Sequence, residues 1–182
     1  MRLMVISDIH GSNDFLKKAL EIFISEEFDK LLILGDIMYH GPRNPIPPGY
    51  APAEVANQLN KIKEKIIAIR GNCDSEVDQM LLEFPIMESY KQLFFNDTEL
   101  FITHGHNYSP DDLPKNINKN TIFCFGHTHI PEIYTKDNLY ILNPGSITLP
   151  KGGSANSYAV ITDNEIAICN LEKVTTKKLQ LF

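Results

Sequence analysis

Tryptophan is absent from the 182 residues, and cysteine is scarce: Cys73, Cys124 and Cys169 are all there are. Odd in number and far apart, they offer neither a disulfide framework nor a zinc-ribbon spacing. Cys124 and Cys169 lie inside apolar runs, where a thiol serves as a small core residue, whereas Cys73 lies in a polar turn. No apolar run approaches the roughly 20 residues that a membrane span requires. The first residues read as a strand rather than as a signal peptide, so a cytoplasmic location is the expectation. Basic residues are also in deficit, with 17 Lys and Arg against 23 Asp and Glu and a net charge of −6. That balance disfavours broad nucleic-acid binding, which needs clustered cations for the phosphate backbone. It leaves a small phosphate substrate open, because bound cations can invert the local field of an acidic protein. Repeats, low-complexity tracts and linkers are missing too, so one domain over residues 1–182 is expected.

What is present is a change of texture along the chain. Up to Gly71, apolar runs at 2–7, 30–34 and 66–69 alternate with amphipathic stretches at 12–26 and 52–65. Strands alternating with helices imply right-handed crossovers and a parallel sheet. From about Pro85 short strand-like runs dominate, at 89–95, 99–103, 121–125, 132–134, 139–142, 157–161, 165–171 and 174–181. Turn signals such as Asn96-Asp97 and Asp163-Asn164 punctuate them. The second half is therefore β-rich, and two packed sheets with the early helices outside account for both halves. One stretch, 39–50, carries four prolines and can be neither helix nor central strand. It reads equally as a stiff connector or as a pocket wall or dimer contact, with Arg43 available to a phosphate oxygen. Pro150-Lys151-Gly152-Gly153 reads as a flexible loop.

Five polar motifs share one placement, at or just after the end of an apolar run. They are Asp8-Ile9-His10, Gly35-Asp36, Gly71-Asn72-Cys73-Asp74, His104-Gly105-His106 and Gly126-His127-Thr128-His129. Strand alternation predicts that Asp8 and His10 share a face, and that His127 and His129 do likewise on an extended segment. Each glycine is expected to let the backbone turn sharply. Any one motif could be a solvated turn; five at strand ends, where ligands of open α/β sheets bind, form a constellation. Carboxylates, imidazoles and an amide suit two hard-to-borderline divalent ions rather than one structural zinc. Seven donors fill two sites if one carboxylate bridges, as in two-metal phosphoryl-transfer centres.

In order and in type these motifs resemble those of the calcineurin-like metallophosphoesterases, and more narrowly of the bacterial YfcE-type phosphodiesterases. The likeness extends to Gly41-Pro42-Arg43-Asn44-Pro45, to the run from Gly71 to Met80, and to Asn143-Pro144-Gly145-Ser146. It implies a four-layer α/β/β/α sandwich and a Mn²⁺-supported phosphodiesterase acting by in-line attack of metal-bound hydroxide. Zn²⁺, Fe²⁺ or Ni²⁺ would suit the same donors. It assigns Asp8, His10 and His129 to a first metal and Asn72, His104 and His127 to a second, with Asp36 bridging. Asp36, Asn72 and His104, together with Cys73, carry the catalytic expectation; Arg43, Cys73 and His106 carry that of substrate contact. Asp74 is expected to fix the turn presenting Asn72, and His106 to orient a ligand or touch substrate. The expected partner is a small phosphodiester, with no membrane and with a homo-oligomer compatible with the family. Cys73 departs from the wider superfamily, in which a histidine at this position assists the leaving group. A thiol is a weak donor, so activated or aryl leaving groups are favoured; a nucleophilic role is the lesser reading. The alternative function is a catalytically weak interaction scaffold, or a regulatory metal- or nucleotide-binding module, on the same fold.

Overall fold

Strand β1 (Leu3–Ile6) is buried at every position, because both of its faces are covered. Met4 and Ile6 point toward the helices, and Leu3 and Val5 toward a second sheet. It pairs in parallel with β2 (Lys30–Ile33), which pairs in parallel with β3 (Ile66–Ala68). On the other side β1 pairs antiparallel with β9 (Ser157–Ile161). That strand leads on to β10 (Glu165–Asn170) and β11 (Thr175–Gln180), giving the order β11-β10-β9-β1-β2-β3. The second sheet runs β4-β5-β6-β8-β7, built from β4 (Tyr90–Phe95), β5 (Thr98–Thr103), β6 (Ile122–Cys124), β7 (Glu132–Lys136) and β8 (Leu139–Asn143). β5, β6 and β8 are parallel neighbours. This computed structural model describes residues 1–95 and 98–181, so the turn expected at Asn96-Asp97 lies outside the described residues.

The helices α1 (Asn13–Ser25) and α2 (Pro52–Asn60) cover the outer face of the first sheet. α1 buries Leu16, Ala19, Leu20, Ile22 and Phe23, a stripe at helical spacing. Together with Val55 and Leu59 of α2 these residues join Met4, Ile6, Leu31 and Ile33 in one core. A second core lies between the sheets, where Leu3, Val5, Leu32 and Leu34 meet Leu100, Ile102, Ile122, Cys124 and Leu142. The outermost layer over the second sheet is supplied by Tyr108, Leu113 and Ile117 of an irregular segment, packed on Phe101, Phe123 and Ile141.

Two helical expectations change. The stretch expected to be helical over 52–65 stops at Asn60, and a 3₁₀ turn at Lys63–Lys65 completes the descent into β3. The second correction is an additional helix, α3 (Glu76–Leu81). Ser75 starts it with a reciprocal capping box: Asp78 N–H donates to Ser75 Oγ at 3.4 Å, and Ser75 N–H donates to Asp78 Oδ2 at 2.7 Å. The Ser-x-x-Asp signal was present, but six residues with one buried face carry little periodicity.

Candidate metal centre

All five motifs emerge from the carboxyl ends of β1, β2, β3, β5 and β6, drawn from both sheets. The convergence of their side chains has a different cause from the one expected. β1 ends at Ile6, so Asp8 and His10 lie beyond it, with φ of 56° and 49°. His127 and His129 likewise have φ of 66° and 62°, and Asp36 has 54°. Five candidate ligands thus occupy the left-handed region, which disfavours L-residues by about 1–2 kcal/mol each. Strand alternation and an extended segment do not align these pairs. Successive left-handed turns do, held by surrounding hydrogen bonds, and such strain clusters at functional sites.

The side chains form two groups around one carboxylate. In the first, Asp8 Oδ1 lies 3.2 Å from His129 Nε2 and 3.5 Å from His10 Nε2, and the two Nε2 atoms are 3.3 Å apart. In the second, His104 Nε2 lies 3.1 Å from Asn72 Oδ1 and 3.3 Å from His127 Nδ1. Asp36 Oδ2 stands between the groups, 3.7 Å from His10 Nε2 and 3.5 Å from His104 Nε2. Its other oxygen accepts from Cys73 N–H at 2.8 Å, which fixes the carboxylate plane. All seven sequence-predicted donors are therefore brought together, grouped as the resemblance divides them.

The surrounding residues explain the orientation. His10, His104 and His129 each turn Nδ1 to a backbone carbonyl, of Tyr39 at 2.9 Å, Leu34 at 2.7 Å and Leu149 at 2.6 Å respectively. A neutral imidazole held so presents a bare Nε2 lone pair, the form that metals bind. Asp8 Oδ2 is occupied by Ser7 Oγ–H and His127 N–H, whereas its buried Oδ1 makes no hydrogen bond. Asp74 is no ligand. It accepts from the N–H groups of Asp36, Ile37 and Gly71, locking the β2 and β3 turns together. Asn143 donates to Gly126 O and Thr128 Oγ1, and Ser146 Oγ–H donates to Asp8 O while accepting from Thr148 and Leu149 N–H. The Asn-Pro-Gly-Ser segment therefore holds two of the ligand turns. Gly71 and Gly126 are needed for close approach rather than for a sharp turn. A Cβ on Gly71 would lie 2.1 Å from Asp36 Oδ1, and one on Gly126 2.0 Å from Ser7 Oγ.

Crowded donors shift one another. Burial raises the Asp8 carboxyl, but contact with His10 and His129 outweighs it and holds it well below the usual range. Burial likewise opposes ionisation of Asp36, and His104 reverses it. Against burial, Asp8 raises His10, while Asp36 and Asp8 push His104 up to about 9. His127 and His106 are lowered, first by burial and then by the charge of His104. Burial and then the Asp36 carboxylate push the Cys73 thiol up to about 12.

A cleft of about 550 Å³ opens on this centre, lined by Asp36, Asn72, Cys73, His127 and His129 and by Gly41–Asn44, Thr128 and Lys151. The proline-rich stretch is therefore a cleft wall. Its far end is stitched to the α1 start: Ser12 Oγ–H donates to Pro48 O, and Asn13 N–H to Gly49 O. Arg43 reaches the cleft. His106 does not line it, standing exposed with its ring 5.4 Å from that of His104 and 6.3 Å from that of His127. His40 packs edge-on against Tyr39 and Tyr50. Sequence reasoning missed Thr128 and Lys151; the latter lay in the stretch read as a flexible loop. That stretch is instead tethered: Lys151 N–H donates to His129 O, and Ser154 donates to Lys151 O through both N–H and Oγ–H.

The donor set fits divalent cations by its own chemistry: a buried carboxylate oxygen without a hydrogen bond, three imidazoles anchored through Nδ1, and a shared carboxylate. With this site on this two-sheet fold, the chain belongs to the calcineurin-like phosphoesterase superfamily, whose domain model matches residues 1–165. Among its relatives, a phosphodiesterase of Escherichia coli K12, YfcE, is 46% identical over 171 residues, covering 94% of this chain and 92% of the relative. The structure of E. coli YfcE superposes with a TM-score of 0.97 at 43% identity over the whole of both chains. A phosphodiesterase of Methanocaldococcus jannaschii is 25% identical over 80% of this chain and 83% of its own. The fold alone is shared with Vps29 of Cryptosporidium parvum, at TM-score 0.68 and 16% identity over 98% and 96% of the two chains. Among the described residues no helix is long and apolar enough to cross a membrane.

Proposed function

We propose that this phosphoesterase is a phosphodiesterase working with two divalent cations, Mn²⁺ foremost, with Zn²⁺, Fe²⁺ or Ni²⁺ suited to the same donors. The observation that carries the proposal is Asp36, one of whose oxygens faces both donor groups while the other is fixed by Cys73 N–H. Bound there, a cation pair supplies Lewis acidity, making a water nucleophilic near neutral pH and balancing charge on the phosphoryl oxygens. The chain itself aims and spaces the donors: the Nδ1 anchors set three imidazole planes, and Asp74 sets the turns bearing Asp36 and Asn72. Asn72, whose Oδ1 faces His104, turns Nδ2–H toward Cys73 Sγ at 3.2 Å, on the cleft side of the centre. The expected partner is a small phosphodiester, a reading supported by relatives that are themselves phosphodiesterases. The scaffold alternative has no observation in its favour, since the Vps29 likeness speaks only to the fold and the donor set here is complete.

The test is an assay of bis(p-nitrophenyl) phosphate and p-nitrophenyl phosphate with metal-stripped protein, adding single metals back. Hydrolysis restored by Mn²⁺, with the diester preferred, is expected. No hydrolysis with any divalent ion in folded protein would favour the scaffold. Asp36→Asn should lower kcat at least about a hundredfold and reduce bound metal below two per chain. Wild-type metal content and rate in that variant would dispose of the bridging role.

A further inference from the structure

Two cations line the cleft without ion-pair partners of their own. Arg43 comes from the proline-rich wall and Lys151 from the loop after β8. Among the described residues neither makes a side-chain hydrogen bond or salt bridge, whereas Arg2, Lys63, Lys91, Lys136 and Lys173 are all paired with carboxylates. The segment bearing Lys151 is fixed to the centre on both sides of one ligand. Leu149 O accepts from His129 Nδ1, and Lys151 N–H donates to His129 O at 3.1 Å. The bonds that orient His129 therefore also set where Lys151 begins. The rest of the lining is polar or small, with no Phe, Tyr or aliphatic side chain on which a base could stack or a lipid could lie, Pro42 apart.

On the two-cation reading above, the Asp8 and Asp36 carboxylates and the attacking hydroxide leave the centre a single positive charge, which a singly charged diester neutralises. Arg43 and Lys151 add two further charges beyond it. We propose that Lys151, together with Arg43, holds a second phosphate group on the substrate, so that the substrate class is a phosphodiester with an additional phosphate on one arm. A guanidinium offers a planar fork to phosphate oxygens and an ammonium a compact point charge, which together suit a dianion at the cleft mouth. Lys151 is on this account a positioning residue that acts in binding.

Three diesters with the same p-nitrophenoxide leaving group test this on the Mn²⁺-loaded protein. They are bis(p-nitrophenyl) phosphate, p-nitrophenyl phosphocholine, and the 3′-phosphate of thymidine 5′-(p-nitrophenyl phosphate). The phosphate-bearing diester is expected to show a KM at least tenfold below that of bis(p-nitrophenyl) phosphate, whose second arm is uncharged, and the zwitterionic choline ester the highest. Lys151→Met should raise the KM of the phosphate-bearing diester about tenfold, with the change in KM rather than kcat, and Lys151→Arg should restore it. Calorimetry gives a readout apart from turnover: thymidine 3′,5′-bisphosphate should bind about tenfold more tightly than thymidine 5′-monophosphate, and Lys151→Met should abolish the difference. Lys151 is exposed and its tether runs through the backbone, so the substitution leaves the fold in place. A common KM for all three diesters, or an equal effect of Lys151→Met on each, would overturn this inference and leave the diesterase intact. Hydrolysis of none of them would overturn the diesterase reading itself.

Discussion

At the scale of single residues, the centre depends as much on what the ligands lean on as on the ligands. Ser146 touches none of the proposed metal sites, yet its hydroxyl donates to Asp8 O and accepts from two backbone N–H groups that lead into Leu149, the anchor of His129. Ser146→Ala is expected to weaken metal binding about 10- to 100-fold, the usual effect of removing such a support. Competition with a chelating indicator would measure it, and an unchanged affinity would mean that the turns hold without the hydroxyl. Cys73 poses the opposite problem, a cleft residue with little to donate. Its thiol stays protonated in the metal-free chain, raised to about 12 by burial and by Asp36. A thiol is a weak hydrogen-bond donor, so it helps a poor leaving group little, whereas an aryl oxide departs without help. Cys73→His should raise the rate on alkyl esters relative to aryl esters by roughly a hundredfold, the low end of what a positioned acid contributes. Equal relative rates across a leaving-group series would remove Cys73 from the selectivity argument.

At the scale of elements, strand ends and turns divide the labour. β1, β5 and β6 are buried at every position, and β2 and β3 at all but one each, so packing fixes their carboxyl ends. The left-handed turns that follow aim the side chains inward. Where two turns meet, there is no room for a Cβ: at Gly71 it would strike both the side chain and the backbone nitrogen of Asp36, the latter at 2.3 Å. Gly71→Ala is therefore expected to destabilise the fold by about 1–3 kcal/mol, as overpacking does. Displacing Asp36, it should also reduce bound metal. Urea denaturation and metal analysis together check this. Stability lost with metal content intact would show that the β2 and β3 turns move without disturbing the carboxylate. The elements themselves were largely legible. Runs such as Lys30–Ile33 are too apolar for a half-exposed strand, and the stripe of α1 has helical spacing. α3 was not legible, because its single turn and a half carries a capping box and little else.

At the scale of the whole molecule, the metal-free fold should respond to pH through the centre. His104 is raised to about 9 against an ordinary value of 6.5, so its charged form favours the folded chain. That contribution is complete below about pH 6.5 and is lost as pH rises through 9, because the folded state holds the proton more tightly. Asp8 and Asp36 are lowered, so their contribution is present above the ordinary carboxylate range and is lost in acid. The metal-free protein should accordingly resist urea best near pH 5–6, with a midpoint that declines toward pH 9. His104→Gln should flatten the alkaline limb, and a midpoint unchanged from pH 6 to 9 would contradict the ion pair between His104 and Asp36. Since cations must displace those protons, metal affinity should rise over the same interval, with proton release visible as a buffer-dependent heat in calorimetry.

The donor set of the proposed metal site was legible in the sequence, because a metal selects donor types and their order along the chain carries the family likeness. Asp8, His10, Asp36, Asn72, His104, His127 and His129 were readable for that reason. Their aim was not, since left-handed φ at five non-glycine residues has no local signature and exists only because contacts from both sheets impose it. Lys151 was hidden for the same reason. In sequence it is one lysine beside two glycines, and only the bond from its N–H to His129 O, made across the fold, brings it to the cleft. Composition and order settled which groups are available; long-range hydrogen bonding and packing decided where they point.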